Sequence, residues 1–221
     1  MTPKTEELTK QDIVDELAWD DSVDANDVTV TVHDGVVELN GTVPTYAAKT
    51  AAERDAYLAS DVTRVINNLT VRFPATKVVP TDTEITTSVE NKLNWNSQIN
   101  STGIRVRTTE GIVTLTGVVD TYWEKGLAED VARYTKGVID VVNDLTVTPV
   151  KSIVDIDIEN DIRRAFIRNS IIDDTKISVS ASGGIVTLSG VASSYLERSR
   201  AYNIAKYTAG VVDVINNITI L

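Results

Sequence analysis

The chain has 221 residues, 42% of them hydrophobic and 24% charged, with a net charge of −11, one histidine and no cysteine. That composition suits packed cores and excludes a largely disordered chain, and the lack of cysteine excludes disulfides, thiolate catalysis and cysteine metal centres. The acidity opposes nucleic-acid binding, because phosphates would be repelled over most of the surface; it fades from −8 over residues 1–75, through −3 over 76–150, to 0 over 151–221.

Taken in order, residues 1–8 read as a polar tail. No apolar run approaches the roughly 20 residues of a membrane span. The start MTPKTEELTK has neither the charged nor the apolar region of a secretory leader, so a cytoplasmic location is expected, with the periplasm as the alternative if a leader has been removed. From Thr9, Ile13 and Leu17 stand four apart and predict an amphipathic helix. Val28, Val30 and Val32 then alternate with Thr29, Thr31 and His33, which predicts a strand with one buried face. Asp34-Gly35 is a pair that favours a two-residue hairpin turn, and Val37 and Leu39 line the returning strand. A second helix is expected near Tyr46, with Ala52 and Ala56 as its close-packing side, and VTRVINNLTV closes the unit as a third strand.

This outline recurs twice. Ile85, Val89 and Leu93, then Glu110-Gly111, Tyr122 and VIDVVNDLTV mark a second copy; Ile158, Ile162 and Phe166, then Gly183-Gly184, Tyr195 and VVDVINNITI mark a third. Gly41, Gly117 and Gly190 are the reference glycine of each, spaced by 76 and 73 residues, on the apolar face where a missing side chain admits another backbone. The expected fold class is α+β: three tandem αββαβ modules, each with two helices on one face of a small three-stranded mixed sheet. The opposite sheet face, with Thr29, Thr31, Glu38 and Asn40, reads as polar. The expected boundaries are 9–73, 82–148 and 155–221, with proline-bearing linkers at 74–81 and 149–154.

The cores GVVELNG, GIVTLTG and GIVTLSG, followed by closing strands of the form V-x-N-x-[LI]-x-[VI], resemble the BON domain in three tandem copies covering nearly the whole chain. BON domains occur in osmotically inducible periplasmic proteins, outer-membrane lipoproteins, secretin-related channels and some cytoplasmic proteins. The resemblance implies a non-enzymatic, transport-associated bacterial module that binds phospholipid surfaces in osmotic stress. The expected partner is therefore an anionic phospholipid membrane or a protein; the alternative is a soluble scaffold or ion-responsive protein without lipid affinity.

The candidate contact residues are Arg163, Arg164 and Arg168 on the first helix of copy three, with Arg198 and Arg200 on its second, in the least acidic third of the chain. Against that stands a plain solvated face, balanced by Asp157, Glu159 and Asp161. Lys49, Lys125 and Arg198 recur at one position, the two lysines each with a glutamate four residues on, Glu53 and Glu129, which predicts helix-surface ion pairs. Trp19, Trp95 and Trp123 are interface candidates, with packing within or between units the leading expectation. Asn67, Asn143 and Asn216 share strand parity with core residues, which predicts a structural bulge or turn. No metal or cofactor is expected: the acidic loop Asp20, Asp21, Asp24 and Asp27 has Ala25 and Thr31 where a calcium loop needs glycine and glutamate. His33 is replaced by Thr109 and Ser182 in the other copies, so no repeated nucleophile–base pair exists and an enzyme is not expected.

Overall fold

The computed structural model describes residues 6–220 apart from Ser22, Asp24, Lys77, Val150, Lys151 and Ser152. The first five residues of the expected tail, Asp24 of the acidic loop, and Lys77 and residues 150–152 of the linkers thus lie outside the described residues.

Each module runs helix, strand, strand, helix, strand. The first contains α1 (Glu6–Trp19), β1 (Val28–His33), β2 (Val36–Val43), α2 (Tyr46–Ala56) and β3 (Arg64–Val71). The second contains α3 (Asp82–Trp95), β4 (Ile104–Thr109), β5 (Ile112–Val119), α4 (Tyr122–Arg133) and β6 (Asp140–Val147). The third contains α5 (Asp155–Ile167), β7 (Ile177–Ser182), β8 (Ile185–Ala192), α6 (Tyr195–Lys206) and β9 (Asp213–Ile220). Helix α1 starts at Glu6, so residues 6–8 belong to it and not to a tail. Two glutamates in its first turn suit the positive end of the helix dipole.

In every sheet the strands lie in chain order, the first pair antiparallel and the second parallel. The hairpin turns explain the antiparallel pair. Asp34 and Gly35, both at positive φ, join β1 to β2, as Glu110 and Gly111 join β4 to β5. The second helices start where a hydroxyl can cap them: Thr45, Thr121 and Ser194 accept from the backbone N–H of Ala48, Glu124 and Glu197. Asp61, Gly137 and Gly210 turn the chain at positive φ after those helices and aim it into the closing strand.

Three separate cores result, one per module. Ile13, Leu17, Val37 and Leu39 centre the first, Ile85, Val89, Leu93 and Leu115 the second, and Ile158, Ile162, Phe166 and Leu188 the third. Each of these side chains is almost wholly buried and contributes about 1.5–3 kcal/mol by leaving water. The reference glycines sit where the chain entering the first strand crosses the second. A Cβ on Gly41 or Gly117 would lie 1.9 Å from the carbonyl oxygen of Asp27 or Gly103, and one on Gly190 would lie 2.0 Å from that of Lys176.

The outer sheet face is less polar than expected. Ile66, Val142 and Ile215, at one position of the three closing strands, face outward, with Val142 and Ile215 exposed. Alternation hides them because each stands between an inward-facing valine and an inward-facing asparagine, Val65 and Asn67 in the first copy, so polarity does not follow the faces of the strand.

Candidate binding surfaces

The helix-to-helix relations between modules are the first thing the sequence did not show. Tyr46 of module one lies under the Arg133 guanidinium of module two, 6.0 Å from ring centroid to Cζ. Trp123 of module two packs on Tyr207 of module three at 4.6 Å, and Tyr122 meets Tyr202 hydroxyl to hydroxyl at 3.1 Å. Tyr195 of module three stacks on Tyr57 of module one, centroids 4.4 Å apart and planes 9° apart. Tyr46, Tyr122 and Tyr195 correspond in the repeat, as do Arg133, Lys206 and Tyr57. The same head-to-tail contact therefore runs from one to two, two to three and three back to one, and the modules close a ring about a pseudo-three-fold axis. Burial and Asp140 push the Tyr46 phenol up to about 12; burial first, then the Tyr202 hydroxyl, raises Tyr122, and burial with Glu53 raises Tyr195.

Positions that correspond in sequence lie at one height along such an axis. Trp19 and Trp95, at the last residues of α1 and α3, are 85% and 83% exposed, the reverse of the packing expected for them. Their phase explains it: two residues beyond Leu17 or Leu93 is about 200° around the helix, opposite the core stripe. The third member of this set is Arg168, the exposed C-cap of α5. Trp123, by contrast, is half-buried in the ring contact described above.

The five arginines differ in their surroundings. Arg164 pairs with Asp161 at 2.5 Å, and Arg163 lies 3.8 Å from Glu159 and donates to the Val179 carbonyl. Arg168 and Arg200 are exposed, while Arg198 is partly buried in the ring with its Nε lacking a hydrogen-bond partner. The expected Lys49–Glu53 and Lys125–Glu129 pairs do not form among the described residues. Glu53 and Glu129 instead accept from the Asn67 and Asn143 amides, and Glu129 pairs with Arg133 at 2.7 Å.

Those asparagines are not bulges, since β2–β3 and β5–β6 pair without interruption. Asn67 Nδ2 donates to the Lys49 carbonyl at 2.9 Å and its Oδ1 accepts from Leu69 N–H at 3.2 Å; Asn143 repeats both contacts with Lys125 and Leu145. Each ties the middle of the second helix to the strand beneath it. Asn216 keeps the strand half, accepting from Ile218 N–H.

Sequence reasoning missed a carboxylate clamp on the hairpins. Asp82 accepts from Glu110 and Gly111 N–H at 2.8 and 2.9 Å, Asp155 from Gly183 and Gly184 N–H at 2.8 Å, and Glu6 from Asp34 N–H at 3.1 Å. In module one His33 joins this clamp, and donor atoms of Glu6, His33 and Asp34 lie within 4.8 Å of one another. All three are exposed, and the corresponding acids of the other modules do the same work on the turn without a histidine. Of the acidic loop, Asp20 accepts from Arg54 at 2.9 Å, and Arg54 also bonds buried Asp55. Burial, offset in part by Arg54 and reinforced by Asp20, pushes the Asp55 carboxyl up to about 6. Glu124 and Glu197, whose T-x-x-E and S-x-x-E spacing was visible in the sequence, are buried caps. Burial opposes the charge of Glu197, but N–H groups of Asp173 and Ser193 and the Ser193 hydroxyl outweigh it and hold the carboxyl below its ordinary value.

Comparison with known proteins follows the same three-part division. A family model described as BON domain matches residues 5–72, 81–149 and 155–221. Osmotically-inducible protein Y of Escherichia coli is 33% identical over 57% of this chain and 64% of its own length. The 21 kDa hemolysin of Actinobacillus pleuropneumoniae is 33% identical over 52% of this chain and 59% of its own. An uncharacterized protein in the gshII 5′ region of Anaplasma centrale is 34% identical over 51% of this chain and 78% of its own. The chain thus spans less than two thirds of the first and second of these relatives.

Proposed function

The chain belongs to the BON domain family, and from that premise we propose that it is a non-enzymatic stress protein that docks on anionic membrane surfaces through the ring face carrying Trp19, Trp95 and Arg168. The osmotic part of this reading draws on the name of the Escherichia coli relative. Its non-enzymatic part is supported by what the titratable groups do. Glu124 and Glu197 cap helices, Glu6, Asp82 and Asp155 clamp turns, and His33 stands in an exposed clamp.

The observation that carries the docking surface is the exposure of two large indoles at matching helix ends. Leaving them in water is costly for a soluble chain, whereas the headgroup layer suits their amphipathic rings, and a cation beside them favours an anionic leaflet. Among the described residues no helix is long and apolar enough to cross a membrane, so the contact proposed is peripheral.

Sedimentation with anionic and neutral vesicles tests it. Anionic vesicles are expected to retain the protein, and Trp19→Ser with Trp95→Ser to weaken retention at least tenfold, as the loss of about 1.4 kcal/mol or more of buried apolar surface requires. Arg168→Glu should weaken it only toward anionic lipid. Equal retention by both vesicle types, or by the double variant and the parent, would sink the reading in favour of a soluble scaffold, which the net charge of −11 favours.

A further inference from the structure

The three ring contacts are alike in backbone and unlike in charge. At each, a cation in the first turn of one second helix faces two residues from the last turns of the next. Lys49 is faced across the contact by the positions of Glu129 and Arg133, and Arg198 by those of Glu53 and Tyr57. Lys125 is faced by those of Tyr202 and Lys206, so the contact between modules two and three has a tyrosine where the others supply a carboxylate.

That contact borders a partly open 250 Å³ cavity, lined among others by Tyr122 and Lys125 from α4 and by Tyr202 and Lys206 from α6. Two acids, Glu129 and Asp130, also reach it, and both are held by Arg133, at 2.7 and 3.1 Å. Glu129 accepts the Asn143 amide as well, at 3.1 Å. The Arg133 Nε is buried without a hydrogen-bond partner. Lys125 and Lys206 form no ion pair among the described residues, and the Lys206 ammonium lies 5.9 Å above the Trp123 ring. Lys125 and Lys206 are half-buried, and with Glu129 and Asp130 already paired to Arg133 the lining keeps an excess of positive charge, which a bound anion balances.

Gly126 adds an independent sign. It stands mid-helix, where the other copies have Thr50 and Ser199, and a Cβ there would lie 2.3 Å from the Lys206 ammonium nitrogen. Glycine in that place weakens α4 and gives the ammonium room.

We infer that this inter-module cavity binds a small phosphate-class oxyanion between Lys125 of module two and Lys206 of module three. Its volume admits inorganic phosphate or a glycerophosphate head. The ligand bridges two modules and so tightens one joint of the ring. The site does not depend on the membrane reading, because it lies on another element pair than Trp19, Trp95 and Arg168.

Phosphorus-31 line broadening with the full chain, in a chloride buffer of fixed ionic strength, tests the site with inorganic phosphate as probe. Saturable binding and a melting temperature that rises with phosphate are expected; Lys125→Gln and Lys206→Gln should each weaken binding roughly tenfold, as the loss of a charge-assisted contact does, and Lys49→Gln should not. Gly126→Ala favours the helix, so the fold is kept while the lysine is displaced, and binding should weaken several-fold. Absence of saturation at millimolar phosphate, or full binding by the Lys125→Gln, Lys206→Gln double variant, overturns the inference. Competition by glycerol 3-phosphate alone identifies a free phosphate ester as the ligand, and competition by phosphatidylglycerol vesicles identifies a headgroup.

Discussion

Asp55 is the residue whose chemistry is most out of keeping with its surroundings. Its counterparts Val131 and Ile204 are apolar, and it is 3% exposed with its carboxyl pushed up from 3.8 to about 6. A folded-state value above the unfolded one means the folded chain holds the proton longer. Its contribution is therefore fully present below about pH 4, is lost as pH rises through 6, and amounts to about 3 kcal/mol at most. Urea unfolding of the parent should show module one more stable at pH 5 than at pH 7, and Asp55→Asn should remove the difference; a difference that survives the substitution would exclude Asp55 as its source. Glu197 acts in a lower window and with the opposite sign, its contribution being lost as pH falls through its depressed folded value. Much at this scale was readable beforehand: the alternating valines and the turn pairs declare themselves by spacing. The asparagines did not, because strand parity places Asn67 inward but cannot show that the Lys49 carbonyl, 18 residues earlier on a helix, is the group that receives its amide. Trp19 and Trp95 were readable by helical phase, and for these two it was the general tendency of tryptophan to be buried that misled.

At the scale of the elements, the hairpin and the strand entering it form one device. A carboxylate from the first helix holds the turn, and the reference glycine lets the entering carbonyl cross the second strand. The two glycine classes should differ sharply in tolerance. Gly117→Ala puts a Cβ 1.9 Å from the Gly103 carbonyl oxygen at φ +122°, so a loss of more than about 2 kcal/mol in thermal unfolding is expected. Gly183 at φ +59° has nothing within 4 Å, and its counterparts are Asp34 and Glu110 at φ 48° and 52°, so Gly183→Asp should cost less than about 1 kcal/mol. Similar losses for both would show that backbone conformation, and not the crossing carbonyl, fixes the glycine. The clamp itself escaped sequence reading, because an acid in the first turn of a helix is already explained by the helix dipole and advertises no distant partner.

For the whole molecule, the repeat announced three modules but nothing about their arrangement, since Tyr46, Tyr122 and Tyr195 look alike in sequence whether or not they meet a neighbour. The Tyr57–Tyr195 stack is the joint between the chain's two ends. Tyr195→Ala should leave each core folded and open the ring, seen as a larger radius of gyration in small-angle scattering; an unchanged profile would mean the other contacts hold the circle. Closure also leaves each of the three modules with both of its mating surfaces taken. A duplication that added a fourth module would find no vacant seat, and a deletion of one would leave two mating surfaces bare and complementary, apt to pair with a sister molecule.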